Sequence, residues 1–597
     1  MDKKNTIIGV LLLAAAFGSL WVSSKFTPPS QPQPAPEITR TVGPNQATSS
    51  ATAAARPTSP PDAAFAAVAK DTGDARIVTL ANDVIAVNFT NQGGAIRDIA
   101  LKKYDAEKKH PGVPYIVNQL HADPALAFVD YPGLDRRTRY ELVSQTPTEV
   151  TFRTVVDGTL EVTRRYTLVP GNGDAKADPY QIRYDTTLRN LTDKELPRVR
   201  TQLSLGTAAP VDVNDYGVYL STGYYDKTDH FVKRSDLEGG GFLSWIGMGS
   251  RDPLRYIENT AAITWASVQN QFFTSILTPD QSGAGLITRR VELPSFPGTM
   301  QPAIGVTGAA QFDLPVLAAK GEIKLGGGFY AGPKEYSRLS NAEIFKHNQD
   351  AVMEFGMFSF FSKILLTLMS WVHKSGASWG VAIIITTLIL KIVFLPLTLS
   401  ASKSAKRMQK IQPEMAAMKE KYKDNPQKMQ QATMELFKKH KVNPMGGCFP
   451  ILITIPFFIG FFSMLQSTAE LRFQTFLWAQ DLSAPDTIAT ISLGFMNLPI
   501  NIMPILMGAT MIIQMQLTPQ PTVDNAQAKM FKFMPYIFAL MCYSFSCALS
   551  LYSTINGIFT IGQQLVINRM KDADDAPAAE PIRGGRPVKN VTPAKKK

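Results

Sequence analysis

Between residues 443 and 567 the chain carries seven charged side chains in 125 positions: Glu470, Arg472, Asp481, Asp486, Asp524, Lys529 and Lys532. Soluble proteins carry roughly 25% charged residues, so a stretch this poor in charge is not built to face water. It must meet hydrocarbon. The whole-chain averages, 18% charged and a mean hydropathy of −0.03, conceal this because a polar half dilutes an apolar one. An ordinary soluble enzyme is excluded. The three cysteines, Cys448, Cys542 and Cys547, lie in apolar stretches, and the six histidines are scattered. Such residues predict no disulfide framework, no metal centre and no phosphate loop, and no cofactor is expected.

Apolar runs fall at about 379–399, 448–468 and 498–517, followed by an uncharged run over 533–568. As one helix that last run would measure roughly 54 Å, against a hydrocarbon core of about 30 Å. It is therefore read as two short spans, 533–548 and 549–567, with a tight turn near 546–550. Residues 7–22 form one more apolar run, behind Lys3 and Lys4. It is short for a span and long for a signal peptide, and is read as an anchor over 1–24, cleavage being the alternative. Six spans result.

The polar half divides by composition. Residues 25–74 form a Pro-rich tether, with nine prolines between 27 and 62, too poor in apolar surface to order itself. Over 75–340 short β-like runs recur at 84–90, 150–156, 160–169, 180–191, 199–205, 262–268 and 272–277. Alternation is clear where Ile182, Tyr184, Thr186 and Leu188 share one face. Strands with no helical pattern between them predict a large antiparallel sandwich. The glycine runs at 239–241 and 326–328 read as turns. Residues 341–375 are read as an amphipathic helix lying in the membrane interface. Its apolar face holds Phe358, Phe361, Leu365, Leu368 and Val372, with Ser359, Ser362, Lys363, Thr367 and Ser370 largely opposite.

Orientation follows from the bias of Lys and Arg toward the cytoplasm. Segment 400–442 carries 11 basic against 4 acidic residues, and 568–597 carries 8 against 4. Both belong inside, as do the two termini, which leaves the β-rich region in the periplasm of a bacterial inner membrane. The formal charge of +12 is thus a topology signal and not evidence of DNA binding. Segment 400–442 reads as a helical hairpin broken at Asp424–Asn425–Pro426. It carries Met408, Met415, Met418, Met429 and Met434, side chains suited to a variable apolar partner or, equally, to plain filler. The basic tail, 571–597, suits ribosomal RNA and anionic lipid alike.

Within the core region, 376–570, Lys391 is the sharpest feature. It stands 12 residues from Trp379 and eight from Leu399, where insertion costs roughly 2.5–3.5 kcal/mol. Snorkelling over eight residues, about 12 Å, exceeds a lysine's comfortable reach, so a water-filled cavity open to the cytoplasm is expected. Thr387 lies one turn away on the same face. The last span carries a polar stripe of Tyr552, Asn556, Thr560 and Gln563 (or Gln564), and the fourth adds Thr510 with Gln514. Four polar groups in a row point to a wet groove more than to interhelical glue.

At these residues the chain resembles the YidC membrane-protein insertase family in its Gram-negative form. The matching stretches are VNPMGGCFPILITIPFF (442–458), ELR (470–472), WAQDLSAPD (478–486), PILMGATM (504–511) and the LPLT that ends the Lys391 span. The resemblance implies a five-helix core enclosing a hydrophilic groove, open to cytoplasm and lipid and closed toward the periplasm. It implies further that the β-rich domain is a supersandwich similar to sugar-binding folds. Clients would be nascent inner-membrane proteins, handled alone or beside the Sec translocon, with a folding-chaperone role and no covalent catalysis. The family usually has arginine at the position of Lys391, so a mechanism needing a guanidinium fork is in question here. Two other classes compete. A secondary transporter would need an internal repeat and an intramembrane carboxylate, and neither stands out. A membrane-anchored periplasmic sugar-binding protein or enzyme would not need five further spans.

Overall fold

The computed structural model describes residues 75–120, 123–169, 177–239, 252–345, 347–422, 425–440, 449–492, 497–517 and 526–569. The anchor, the Pro-rich tether, the start of 442–458 and the basic tail lie outside the described residues. The chain forms two compact units that divide after Met353.

Among the described residues the first unit is mostly strand, with short helices at Arg234–Glu238 and Tyr336–Leu339 and a 3-10 turn at Gln349–Met353. A nine-stranded antiparallel sheet runs, in spatial order, Asp229–Lys233, Ser221–Tyr225, Trp265–Gln269, Phe273–Pro279, Glu322–Pro333, Gln181–Asn190, Leu160–Leu168, Glu149–Val156 and Glu141–Gln145. A four-stranded sheet, Tyr256–Ile263, Gly283–Ser295, Pro302–Leu314 and Val199–Ala208, packs against it. Thr222 and Thr288 meet between the two sheets at 2.5 Å. A third sheet, 77–117, packs on the same face of the nine-stranded sheet, where Phe89 and Tyr166 meet with ring centres 5.0 Å apart.

Two readings of the β region need correction. The run at 262–268 is two strands, because the chain leaves one sheet at Ile263 and enters the other at Trp265. The glycines at 326–328 are no turn but the middle of a twelve-residue strand. A Cβ on Gly327 would stand 2.4 Å from the Thr278 carbonyl and 3.0 Å from the Tyr184 ring, so glycine is required by close packing. Residues 341–353 also belong to this unit. Trp265 Nε1 donates to the His347 carbonyl at 2.8 Å, and Gln349 Nε2 to Thr278 Oγ1 at 2.8 Å.

The second unit contains helices α1 (Ser359–Lys374), α2 (Trp379–Lys421), α3 (Pro426–Lys439), α4 (Phe449–Ser467), α5 (Ile502–Leu517), α6 (Ala526–Met541) and α7 (Cys547–Arg569). Among the described residues one helix, from Trp379 to Met408, combines the length and apolarity needed to cross a membrane. Other apolar helices are shorter: Ile455–Ser467, Ile502–Leu517 and Pro535–Ser544. The expected count of six spans therefore does not appear as six long apolar helices. One reason is that 498–501 leave α5 to pair as Asn497–Asn501 with Thr487–Ser492 in a hairpin. Another is that the break before α7 falls at 542–546. Ser546 caps α7 there, its Oγ accepting from Leu549 N at 3.4 Å, an N-cap the sequence reading passed over.

The hairpin over 400–442 begins as a direct continuation of α2, which runs 43 residues. Asn425 then caps α3 by accepting from Lys428 N at 3.1 Å. In α1 the packing face holds Leu365 and Val372 of the expected apolar face together with Leu366 and Met369, while Thr367 of the expected polar face is exposed; the exception is Ser362. Ser362 is fully buried and donates to the Gly460 carbonyl of α4 at 2.8 Å. Phe360, Ile364 and Trp371 point outward instead. A small hydroxyl permits the close helix approach that a larger side chain would block.

Candidate functional site

Lys391 lies in the apolar part of α2, half-buried. Its ammonium donates to Thr560 Oγ1 of α7 at 2.8 Å and stands 5.8 Å from the centre of the Phe559 ring. The Thr560 hydroxyl donates to the Asn556 carbonyl at 2.8 Å, which turns its lone pairs toward the lysine. Further along the same seam, the Thr398 hydroxyl is shared between Gln563 Oε1 at 3.3 Å and the Leu395 carbonyl at 3.1 Å. Lys406 Nζ then reaches the Ile567 carbonyl at 3.5 Å. The α2–α7 seam thus carries three successive polar contacts.

The predicted stripe is therefore assembled in part. Lys391, Thr560 and Gln563 line the seam, and Asn556 supports it through its carbonyl. Thr387 is buried, and its hydroxyl donates back to the Ile383 carbonyl at 2.7 Å. Tyr552 stacks on Phe461 of α4, with ring centres 4.2 Å apart and planes at 12°. Thr510 and Gln514 meet α7 at a different place, Gly557. A Cβ there would lie 2.9 Å from Thr510 Oγ1 and 3.9 Å from Gln514 Oε1. Thr398, Phe559 and Lys406 were not foreseen, although Thr398 sits in the same LPLT that ends the span.

In the hairpin Ile411 and Leu436 are buried. Around them Met408, Met415, Met418 and Met429 are half-buried, while Met434 is 50% exposed. His440 Nε2 and Glu414 Oε2 lie 3.2 Å apart and tie the two helices together.

The opposite end of the bundle is closed by a network that the sequence reading did not single out. Asp486 Oδ2 accepts from Trp478 Nε1 at 2.7 Å and from Met503 N at 2.8 Å. Asp481 Oδ1 accepts from Phe473 N, Ser483 N and Ser483 Oγ within 2.9 Å. The first amides of α7, Cys547 N and Ala548 N, donate to the carbonyls of Ala484 and Leu482, each at 2.8 Å. Asp481 and Asp486 are two of only seven charges in that long stretch, and a charge kept among apolar spans marks a role. That signal was available.

The family model described as the 60Kd inner membrane protein matches residues 371–574, and the YidC periplasmic domain model matches 77–368. A membrane protein insertase YidC of Pelobacter propionicus is 31% identical over 95% of this chain and 99% of its own. One from Paraburkholderia xenovorans is 28% identical over 96% and 98%. A crystal structure of an active YidC insertase with its first transmembrane domain resolved covers 84% of this chain and 95% of its own, at 16% identity and a TM-score of 0.31.

Proposed function

Because this chain belongs to the YidC family of membrane protein insertases, we propose that it carries short polar tails of inner-membrane proteins through a wet groove and releases their apolar spans into lipid. It is an inner-membrane protein with a periplasmic, β-rich domain and a membrane insertase region. In this reading α2, α4, α5, α6 and α7 cross the membrane, residues 7–22 supply a sixth span, and both termini are cytoplasmic. The β unit is a supersandwich, and α1 lies in the outer interface. Partners are nascent inner-membrane proteins, the Sec translocon, and anionic lipid or the ribosome at the basic tail. A folding-chaperone role accompanies insertion.

The observation that carries this reading is Lys391 on Thr560. A polar tail crossing about 30 Å of hydrocarbon loses several kcal/mol for each unpaired polar group. A cation halfway across, with Thr398 and Gln563 beyond it, shortens the dry path. An ammonium has three donors, and beyond the one that reaches Thr560 it can receive a client carboxylate.

The test compares one client carrying acidic, neutral or basic tails in reconstituted insertion. Lys391→Arg retains function because the cation stays. Lys391→Ala and Lys391→Glu lower insertion of the acidic tail on the order of tenfold, about 1.4 kcal/mol, and of the neutral tail less. A snorkelling lysine predicts instead that Lys391→Leu stabilises the span and leaves acidic-tail insertion unchanged. That result refutes the groove reading.

A further inference from the structure

The hairpin Thr487–Ser492/Asn497–Asn501 joins α4 to α5, and none of residues 487–501 is charged. Beyond a bulge at Ile488, its register sorts the side chains of 489–492 and 497–500 into two faces. Ala489 pairs with Ile500 and Ile491 with Leu498 on one face, while Thr490 pairs with Pro499 and Ser492 with Asn497 on the other. The apolar face is uncovered, with Ile491 46% and Leu498 37% exposed. A two-stranded ribbon with one bare apolar face is marginal in water.

From these observations we infer that the apolar face of this hairpin rests on lipid, in the headgroup–acyl boundary of the outer leaflet, as a second membrane contact distinct from the spans. Four features favour lipid over a protein strand. Pro499 has no N–H to offer a partner strand. Its carbonyl accepts from Tyr543 Oη at 2.6 Å, and Asn501 N reaches the same hydroxyl at 3.3 Å, so Pro499 and Asn501 have no outward group left for a partner strand. Low-dielectric surroundings demand this of backbone groups. The base is also fixed. Thr487 Oγ1 donates to Asn501 Oδ1 at 2.7 Å and Asn501 Nδ2 to the Tyr543 carbonyl at 3.0 Å, holding the ribbon to the α6–α7 turn, at the end of the bundle opposite the basic hairpin. Fifteen residues without charge between two apolar helices give it nothing to keep it in bulk water.

The inference rests on the reading that α4 and α5 cross the membrane, and the test separates the two. In a Cys448→Ala, Cys542→Ala, Cys547→Ala background of the full chain, nitroxides are attached at Ile491→Cys, Leu498→Cys, Thr490→Cys and Asn497→Cys. Ile505→Cys and Ile513→Cys on the exposed face of α5 serve as references. In phosphatidylethanolamine–phosphatidylglycerol vesicles, collision with oxygen is compared with collision with a water-soluble nickel chelate. Positions 491 and 498 should show a several-fold higher oxygen-to-nickel ratio than 490 and 497, approaching that of 505. If 491 and 498 are as nickel-accessible as 490 and 497 while 505 and 513 stay oxygen-rich, the hairpin stands in water and the inference fails alone. If 505 and 513 are nickel-accessible too, α5 does not cross, and both readings fail together.

Discussion

The two units handle buried polar groups in opposite ways. In the β unit they are satisfied across long stretches of sequence. Arg164, almost wholly buried, donates to the carbonyls of Gly93, at 2.8 Å, and Leu126, with the Phe128 and Tyr166 rings 5.2 and 5.6 Å away. Tyr166 Oη donates to the Gly94 carbonyl at 2.7 Å. In the helical unit several hydroxyls bond one turn back on their own helix, Thr387 to Ile383, Thr468 to Met464, Thr554 to Ser550 and Thr560 to Asn556. The outward faces differ as well. Trp371, Ile392, Val393, Ile558 and Val566 are exposed on the helices, whereas the largest side chains of the β unit, such as Trp265 and Phe152, are sealed inside. A unit that faces hydrocarbon cannot leave polar groups to water and must satisfy them locally. Ser362, Thr398, Lys406 and Lys391 reach across to another helix instead, and Lys391 does so with a charge in the apolar part of α2.

The contrast can be broken experimentally, and the largest effect expected is in the cytoplasmic hairpin. Removing residues 405–438 should abolish client insertion while the protein still reaches the membrane. Normal insertion by that deletion would reduce its methionines to filler around Ile411 and Leu436.

Next in size is the α5–α7 contact. Gly557→Leu drives a side chain into Thr510, and overpacking of this kind costs roughly 1–3 kcal/mol. The melting temperature of the detergent-solubilised protein should fall while that of the β unit does not move. A joint fall would show that the two units do not melt independently.

A smaller effect is expected within the β unit. Burial, with Glu258 nearby, pushes the Asp130 carboxyl up to about 6. Its Oδ2 accepts from Gln202 at 3.0 Å. The folded state then holds a proton that the unfolded chain has lost, so stability falls as pH rises from about 4 to about 6 and stays lower above. Asp130→Asn should remove that slope and raise stability at pH 7 by on the order of 1 kcal/mol. Unchanged melting at pH 5 and pH 7 in both proteins would contradict it.

The smallest change should come from the largest cut. Deleting most of 75–320, with 340–373 kept, should leave insertion of a small client nearly intact. A stable truncated protein that cannot insert would make the β unit part of the machinery.

Sequence alone determined which half of the chain lives in lipid, because charge depletion is a property of composition and needs no partner. It determined the β character of 75–340, the hairpin break at Asn425 and the singular position of Lys391, all set by local periodicity or by one costly residue. Tertiary structure decided the rest. That Lys391 finds Thr560, that Thr510 and Gln514 meet Gly557 instead, and that Tyr552 is spent on Phe461 depend on how α7 is rotated between its neighbours. Helical period fixes which residues share a face, but not which neighbour that face meets. Likewise the glycines at 326–328 look like a turn until the Thr278 carbonyl and the Tyr184 ring are seen beside Gly327. The hairpin at 487–501 was hidden for the same reason. Its strands are too short and apolar to be told from a helix start, and only the hydrogen bonds of Asn501 and Pro499 to Tyr543, more than 40 residues away, hold them as a ribbon.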